Sequence, residues 1–165
     1  MADLSRQILD LLRENGRLSD QDIALQLQVT DKKVATCREA LEKSGRIVGY
    51  AAIVDEDGCV DSSYAIRAYV ELSVRPEKKT GYDAIAKRIY KYPNVCGQYL
   101  LSGQYDFLVV VEGRSHQEIA SFVFDKLATL DSVVTTNTHF VFKKYKEHGV
   151  LLEQEKAPPR MPVVA

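Results

Sequence analysis

Ser19-Asp-Gln-Asp-Ile-Ala-Leu-Gln-Leu-Gln-Val-Thr-Asp-Lys-Lys-Val-Ala-Thr-Cys-Arg-Glu-Ala-Leu-Glu-Lys-Ser-Gly45 carries two short helical patterns separated by a tight turn. Ser19 suits a helix N-cap, Asp20 and Asp22 suit the positive end of a helix dipole, and Ile23, Ala24 and Leu27 form a short apolar face. After Gln28-Val29, Thr30 or Asp31 is placed to cap the next helix, in which Val34, Cys37 and Leu41 share one face until Ser44-Gly45 ends it. Upstream, Leu4, Ile8, Leu11 and Leu12 fall at i, i+4, i+7 and i+8, the stripe of one more helix that Asn15-Gly16 stops. Three short helices with a tight turn between the last two describe a helix-turn-helix. The β-branched run Arg46 to Asp55 then predicts a short β wing or an outgoing strand, with Asp55-Glu-Asp-Gly58 as its turn.

Beyond Gly58 the period changes. Tyr64, Ile66, Ala68, Val70, Leu72 and Val74 alternate with Arg67, Tyr69, Glu71, Ser73 and Arg75, the pattern of a half-buried strand, and Pro76 ends it. A helix is expected over 81–90, where Tyr82, Ile85, Ala86 and Ile89 make one stripe, and a strand over 95–101. Ser102-Gly-Gln-Tyr105 reads as a hairpin turn into a strand over 106–112. A helix burying Ile119, Phe122, Val123 and Leu127 follows, and then a long strand over 133–145. The order β-α-β-β-α-β is that of a ferredoxin-like unit, so the fold class is α+β. The expected domains are a winged helix-turn-helix over 1–58 and a ferredoxin-like domain over 59–150, with a mobile tail over 151–165.

Composition narrows the functions. The longest apolar run, Phe107 to Val111, is far short of the ~20 residues that cross a bilayer. No membrane span is expected. The N-terminus has an acid where a signal peptide would be basic, so a cytoplasmic location follows. Cys37, Cys59 and Cys96 are widely spaced without a CxxC pair, which reads as buried reduced thiols. His116, His139 and His148 are scattered, and neither a phosphate loop nor a nucleophile elbow is present. No catalytic residue, metal or cofactor is expected. Up to Gly58 the chain has 8 Lys/Arg against 11 Asp/Glu. Any affinity for nucleic acid must therefore come from a local patch rather than from net charge.

Gly16-Arg17-Leu18-Ser19, Val34, Leu41-Glu-Lys-Ser-Gly-Arg-Ile-Val-Gly-Tyr50 and Leu101-Ser-Gly-Gln-Tyr-Asp106 resemble, in order and spacing, the leucine-responsive regulator / asparagine-operon regulator (Lrp/AsnC) family of transcription regulators, out to about Lys146. The resemblance implies a DNA-binding regulator that dimerises through its C-terminal sheets, often builds tetramers or octamers, and binds amino acids or related metabolites between dimers. Departures occur on the DNA-binding side. Gln28 stands where the family usually has glycine in the turn, and Cys37-Arg38 where it usually has arginine and an aliphatic residue.

Stepping about 100° per residue from the inward side of the third helix puts Lys32, Thr36, Glu39 and Lys43 on the solvent face. Lys32 and Thr36 are the expected groove residues: lysine contacts guanine or phosphate, and threonine meets a base edge or a thymine methyl. Thr30 opens the same helix and joins them. Lys33, Arg38 and Arg46 are expected to hold phosphates. The plainer alternative is a solvated helix face, with Glu39 a repulsive cost. In the C-terminal domain the resemblance places an effector site around Ser102, Gly103, Gln104, Asp106, Thr136 and Thr138, with Asp106 taking an ammonium group and backbone amides the carboxylate. The alternative is that these are ordinary turn and strand residues. The expected partners are double-stranded DNA, a second copy of the chain and an amino acid effector. A second function remains open, an enzyme of the same architecture resembling sirohaem decarboxylases. A third is a module that modulates a protein partner.

Overall fold

Ser19 starts the second helix as a reciprocal cap: its Oγ accepts from the Asp22 N–H at 3.1 Å, and the Asp22 carboxylate accepts from the Ser19 N–H at 3.1 Å. These bonds hold the Asp22 carboxyl below its ordinary pKa, chiefly through the Ser19 side chain. The computed structural model describes residues 2–54, 66–77 and 81–152, and the chain divides into two units, Met1–Ile53 and Val54–Ala165. The expected turn at 55–58, Cys59, the boundary at Gly58 and the tail from 153 onward lie outside the described residues.

The first unit contains α1 (Ala2–Glu14), α2 (Asp20–Leu27) and α3 (Asp31–Lys43). Ile8, Ile23, Ala24, Val34 and Leu41 form its core, with Leu4, Leu11, Leu12, Leu27, Cys37 and Ile47 packed against them. The apolar stripes read from the sequence are the ones that meet. Gln28 closes α2 in the left-handed region at φ 53, ψ 41. That conformation favours glycine, and a side chain here costs roughly 1–2 kcal/mol.

No strand forms over 46–54. The strand expected from Arg46 is therefore not formed within the described residues, and the hydrogen bonds give the reason. The N–H groups of Arg46 and Ile47 turn back to the Leu41 carbonyl at 2.9 and 3.1 Å. Val48 to Val54 then run exposed without a neighbouring strand in the described chain, and β-propensity alone forms no ladder.

The second unit is a four-stranded antiparallel sheet of order β2-β3-β1-β4, built from β1 (Ile66–Val74), β2 (Val95–Leu100), β3 (Phe107–Gly113) and β4 (Val133–Phe140). The helices α4 (Asp83–Ile89) and α5 (His116–Phe122), the latter continued by a π-helical turn over Val123–Leu127, cover one face. Ala68, Val70 and Leu72 of β1 and Phe107, Val109 and Val111 of β3 meet Ile85, Ile89, Ile119, Phe122, Val123 and Leu127 there. The last strand ends at Phe140 rather than Tyr145: its final described bond to β1 is Val141 N–H to the Arg67 carbonyl at 2.9 Å, and 141–144 carry no ladder. The chain then forms a small hairpin, β5 (Lys146–Glu147) and β6 (Val150–Leu151), whose turn residues His148 and Gly149 have φ 46 and 88. Leu151, assigned to the tail by sequence, belongs to this hairpin.

Two substitutions test these constraints. A Cβ at Gly113 would lie 2.9 Å from Ile119 Cγ1 in the packed interface of α5 on β3. Gly113→Ala should therefore destabilise the C-terminal unit by about 1–3 kcal/mol in denaturant unfolding. Gln28→Gly should stabilise the helix-turn-helix by about 1 kcal/mol, and an unchanged or lower midpoint would show that the left-handed turn carries no strain.

Candidate nucleic-acid interface and effector site

Val34 and Leu41 are buried on α3, which leaves Lys32, Thr36, Glu39 and Lys43 exposed on the other side. Glu39 and Lys43 pair with each other at 3.3 Å, so the acid on this face is partly neutralised by its own helix. The Thr36 hydroxyl donates to the Lys32 carbonyl at 2.9 Å, which leaves its methyl group and an oxygen lone pair for another contact. Thr30 occupies the N-cap position with no side-chain capping bond, and Asp31 accepts from the Lys32 N–H at 2.8 Å. Lys33 is exposed beside the Cys37 flank, and Arg46 is exposed just past the helix end.

Arg38 departs from its expected role. Its Nε faces the Asp20 Oδ1 at 2.8 Å, an ion pair whose two atoms are buried and not aligned as a hydrogen bond, while Nη2 donates to the Leu18 carbonyl at 2.9 Å. The guanidinium is 20% exposed and ties α3 to the start of α2. It positions α3 rather than offering a free charge to solvent. The signal was Asp20, which the sequence shows only as a helix-dipole acid. Cys37, the other departure at this place, sits half-buried with its Sγ 3.2 Å from Ser5 Oγ, against α1 and not toward solvent.

In the C-terminal unit Leu100, Phe107, Leu72 and Thr136 form one row across the sheet, and the turn 101–106 leaves from that row. Ser102, Gly103 and Gln104 are exposed on the turn. Thr136 and Thr138, half-buried, pair with Leu72 and Val70 and so lie on the helix-covered side, Thr138 two rows farther from the turn. The sequence thus brings the turn and Thr136 to one end of the sheet.

Asp106 has other work. Its Oδ2 accepts from the Val74 N–H at 2.8 Å and its Oδ1 from the Tyr82 hydroxyl at 2.9 Å. The second bond raises the Tyr82 pKa, since ionised tyrosine would lose it and face a carboxylate. Asp106 staples the end of β1, the start of α4 and the turn together, and its expected role as ammonium ligand is corrected to one of positioning. Sequence reading missed Tyr82 and Arg67, both of which read only as alternating strand or helix residues. Arg67 donates to Glu112 at 2.8 Å and to Glu147 at 3.0 Å, tying the β5–β6 hairpin to the sheet. Burial alone would lower its pKa, but the two carboxylates raise it. Cys96 is exposed as a residue, contrary to the buried thiol expected, yet burial of its sulfur and the nearby Glu112 push its pKa up to about 11.

A winged helix-turn-helix DNA-binding model matches residues 1–48, and the Lrp/AsnC ligand-binding domain model matches residues 67–151. The chain belongs to the Lrp/AsnC family. It is 42% identical over 147 residues to the uncharacterised HTH-type transcriptional regulator YugG of Bacillus subtilis, covering 89% of this chain and 88% of that one. The regulator FL11 of Pyrococcus furiosus is 25% identical, covering 88% and 91%. In fold it is similar to the Neisseria meningitidis regulator NMB0573 in complex with L-Met, with TM-score 0.70, 24% identity and coverage of 87% and 91%. It is also similar to E. coli AsnC, with TM-score 0.67, 21% identity and coverage of 88% and 94%. As an Lrp/AsnC protein the chain is a transcriptional regulator with a DNA-binding and a ligand-binding domain. None of its described helices is long and apolar enough to cross a membrane.

The structural roles of Arg38 and Asp106 give a stability prediction. Arg38→Ala, which leaves the buried Oδ1 of the half-buried Asp20 without its counter-charge and the Leu18 carbonyl without its donor, should cost about 1–3 kcal/mol in denaturant unfolding. Lys33→Ala, on the exposed flank, should change stability by no more than about 0.5 kcal/mol. Asp106→Ala should cost about 1–3 kcal/mol because it leaves the Val74 N–H without its acceptor. Equal effects of Arg38→Ala and Lys33→Ala would show that Arg38 is not a structural tie.

Proposed function

We propose that this regulator reads double-stranded DNA through α3, with Lys32 and Thr36 at base edges in the major groove and Thr30, Lys33 and Arg46 at phosphates. The observation that carries this reading is the outward face of α3. Lys32 and Thr36 stand exposed on a helix whose opposite side is locked into the core and whose flank is fixed by Arg38 and Asp20. The Thr36 hydroxyl hydrogen is used inside the helix, so its methyl favours contact with a thymine methyl. Arg38 is left out of the interface. The domains implied are the helix-turn-helix over 1–58, the sheet domain from 59 through the β5–β6 hairpin to Leu151, and the tail after it.

An amino acid is the proposed effector, in keeping with the L-Met complex of NMB0573. It would be held at the exposed turn Ser102–Gln104 by backbone amides, with Thr136 and Thr138 lining the adjoining sheet and Asp106 fixing the turn's shape. The protein is read as cytoplasmic, without catalytic activity, and as a homodimer that assembles further to tetramers or octamers. The sheet face away from the helices supports self-association: by register it carries Tyr69, Tyr99, Leu108 and Val110, with Tyr69 and Tyr99 36% and 57% exposed.

Binding to the duplex upstream of its own gene and to random duplex, at two salt concentrations, tests the reading. Sequence-selective binding that weakens at least tenfold in Lys32→Ala and in Thr36→Ala is expected. Equal weak binding to both duplexes would refute it.

A further inference from the structure

We propose that Arg6, Arg13 and Arg46 form a second phosphate-binding ridge that grips the DNA backbone alongside the groove read by α3. The inference rests on α3 being the DNA-facing helix and extends the DNA-facing surface to α1, whose side chains have no part in reading bases.

Arg6 and Arg13 are seven residues apart on α1, about two turns, and so share one face of that helix. Both line one groove of about 380 Å³ with Arg46, which leaves the end of α3. The ridge lies beside α3 because α1 and α3 run alongside each other in the same sense. Leu4 and Ser5 near the start of α1 share a groove of about 570 Å³ with Lys32, Lys33 and Thr36 near the start of α3. Leu9, Leu12 and Arg13 farther along α1 share another with Arg46 past the end of α3. One side of the shared surface is thus edged by Lys32 and Lys33, and the other by Arg6 and Arg13 with Arg46 between the helix ends.

The distribution of charge points to the same partner. Over Met1–Ile53 the Lys/Arg and Asp/Glu residues are equal in number, eight of each, so attraction for a polyanion depends on which charges are already satisfied. What decides is placement: two acids are offset by bases of the unit, and three more are held in local hydrogen bonds, with their charge kept, away from the Arg6–Arg13–Arg46 groove. Asp20 holds Arg38, Asp22 caps α2, Asp31 accepts from the Lys32 N–H, Glu39 pairs with Lys43, and Glu42 accepts from the Tyr50 hydroxyl at 2.9 Å. Arg13 meets only Asp10, at 3.7 Å and with its own side chain 79% exposed. Asp10 lies within the ridge and opposes an anion there, which makes its removal informative. A guanidinium row at the border of a groove, at fixed spacing along a helix, suits successive phosphates of one strand, interactions that set register without reading sequence.

The test is anisotropy titration of the full chain with the upstream duplex and with random duplex over a range of salt. Arg6→Gln, Arg13→Gln and Arg46→Gln, singly and together, should weaken binding to both duplexes by the same factor. Each arginine removed from a phosphate should lower the slope of log affinity against log salt by about 0.9. Asp10→Asn should tighten binding to both duplexes, and Arg88→Gln, the same charge change in the other unit, should leave the slope unaltered. These side chains are exposed, and thermal melts should match the parent protein. Unchanged affinity and slope in the triple variant, beside selective binding that Lys32→Ala abolishes, would overturn the ridge and remove Arg46 from the phosphates, while leaving Lys32 and Thr36 as the reading residues of α3; a loss in Arg46→Gln alone, with Arg6→Gln and Arg13→Gln unchanged, would also overturn the ridge. A loss confined to the upstream duplex would also overturn it as a backbone grip. Absence of DNA binding in the parent protein would refute the α3 reading and the ridge together.

Discussion

What α3 presents to solvent is fixed by what it buries. Val34 and Leu41 enter the core with Ile8 and Ile23, and this packing sets the rotation of the helix about its axis. The Arg38 guanidinium, held by Asp20 and the Leu18 carbonyl, then sets its position against α2. With both constraints met, Lys32 and Thr36 have no choice of direction. A recognition helix needs this rigidity, because a small displacement that breaks a hydrogen bond to a base edge also removes the discrimination that bond supplies. Placing the ion pair behind the helix rather than on its exposed face separates the charge that holds the structure from the charges proposed to meet DNA.

The C-terminal unit uses the same economy of position. Asp106 joins a strand end, a helix start and a turn through two hydrogen bonds, so the exposed residues Ser102 to Gln104 rest on a fixed base. An effector acting at this turn would be coupled to β1 and α4 through one carboxylate. Gly113 serves packing in a comparable way, since its missing Cβ is what lets Ile119 reach the sheet. On the opposite face the tyrosines remain uncovered, and Glu71, Asn137 and His139 lie together within 3.0 to 3.2 Å.

Most of the architecture is legible in the sequence because periodicity is a local signal. The strict alternation of Ile66 to Val74 and the stripes of Leu4 to Leu12 and Ile119 to Leu127 each state which side must be buried, and each is buried on that side. What the sequence does not disclose is decided by partners distant in the chain. Arg46 to Val54 has the composition of a strand but finds no neighbouring strand among the described residues. Val141 to Tyr145 reads as more strand, but the ladder of β4 stops at Phe140. Arg38 reads as a phosphate ligand because its partner Asp20 lies on another helix, and Asp106 as an effector ligand because Val74 and Tyr82 are brought to it only by the folded sheet. Charged residues in a single sequence show that a charge exists, and only tertiary placement shows whether it is already used.

The most direct test of α3 as the reading element is selection of preferred sites from a randomised duplex pool by the parent protein and by Thr36→Ser, which keeps the hydroxyl and its bond inside the helix and removes the methyl. A defined near-palindromic consensus that changes at one symmetric pair of positions in the variant is the predicted result. An identical consensus from both proteins, or none from either, would contradict it.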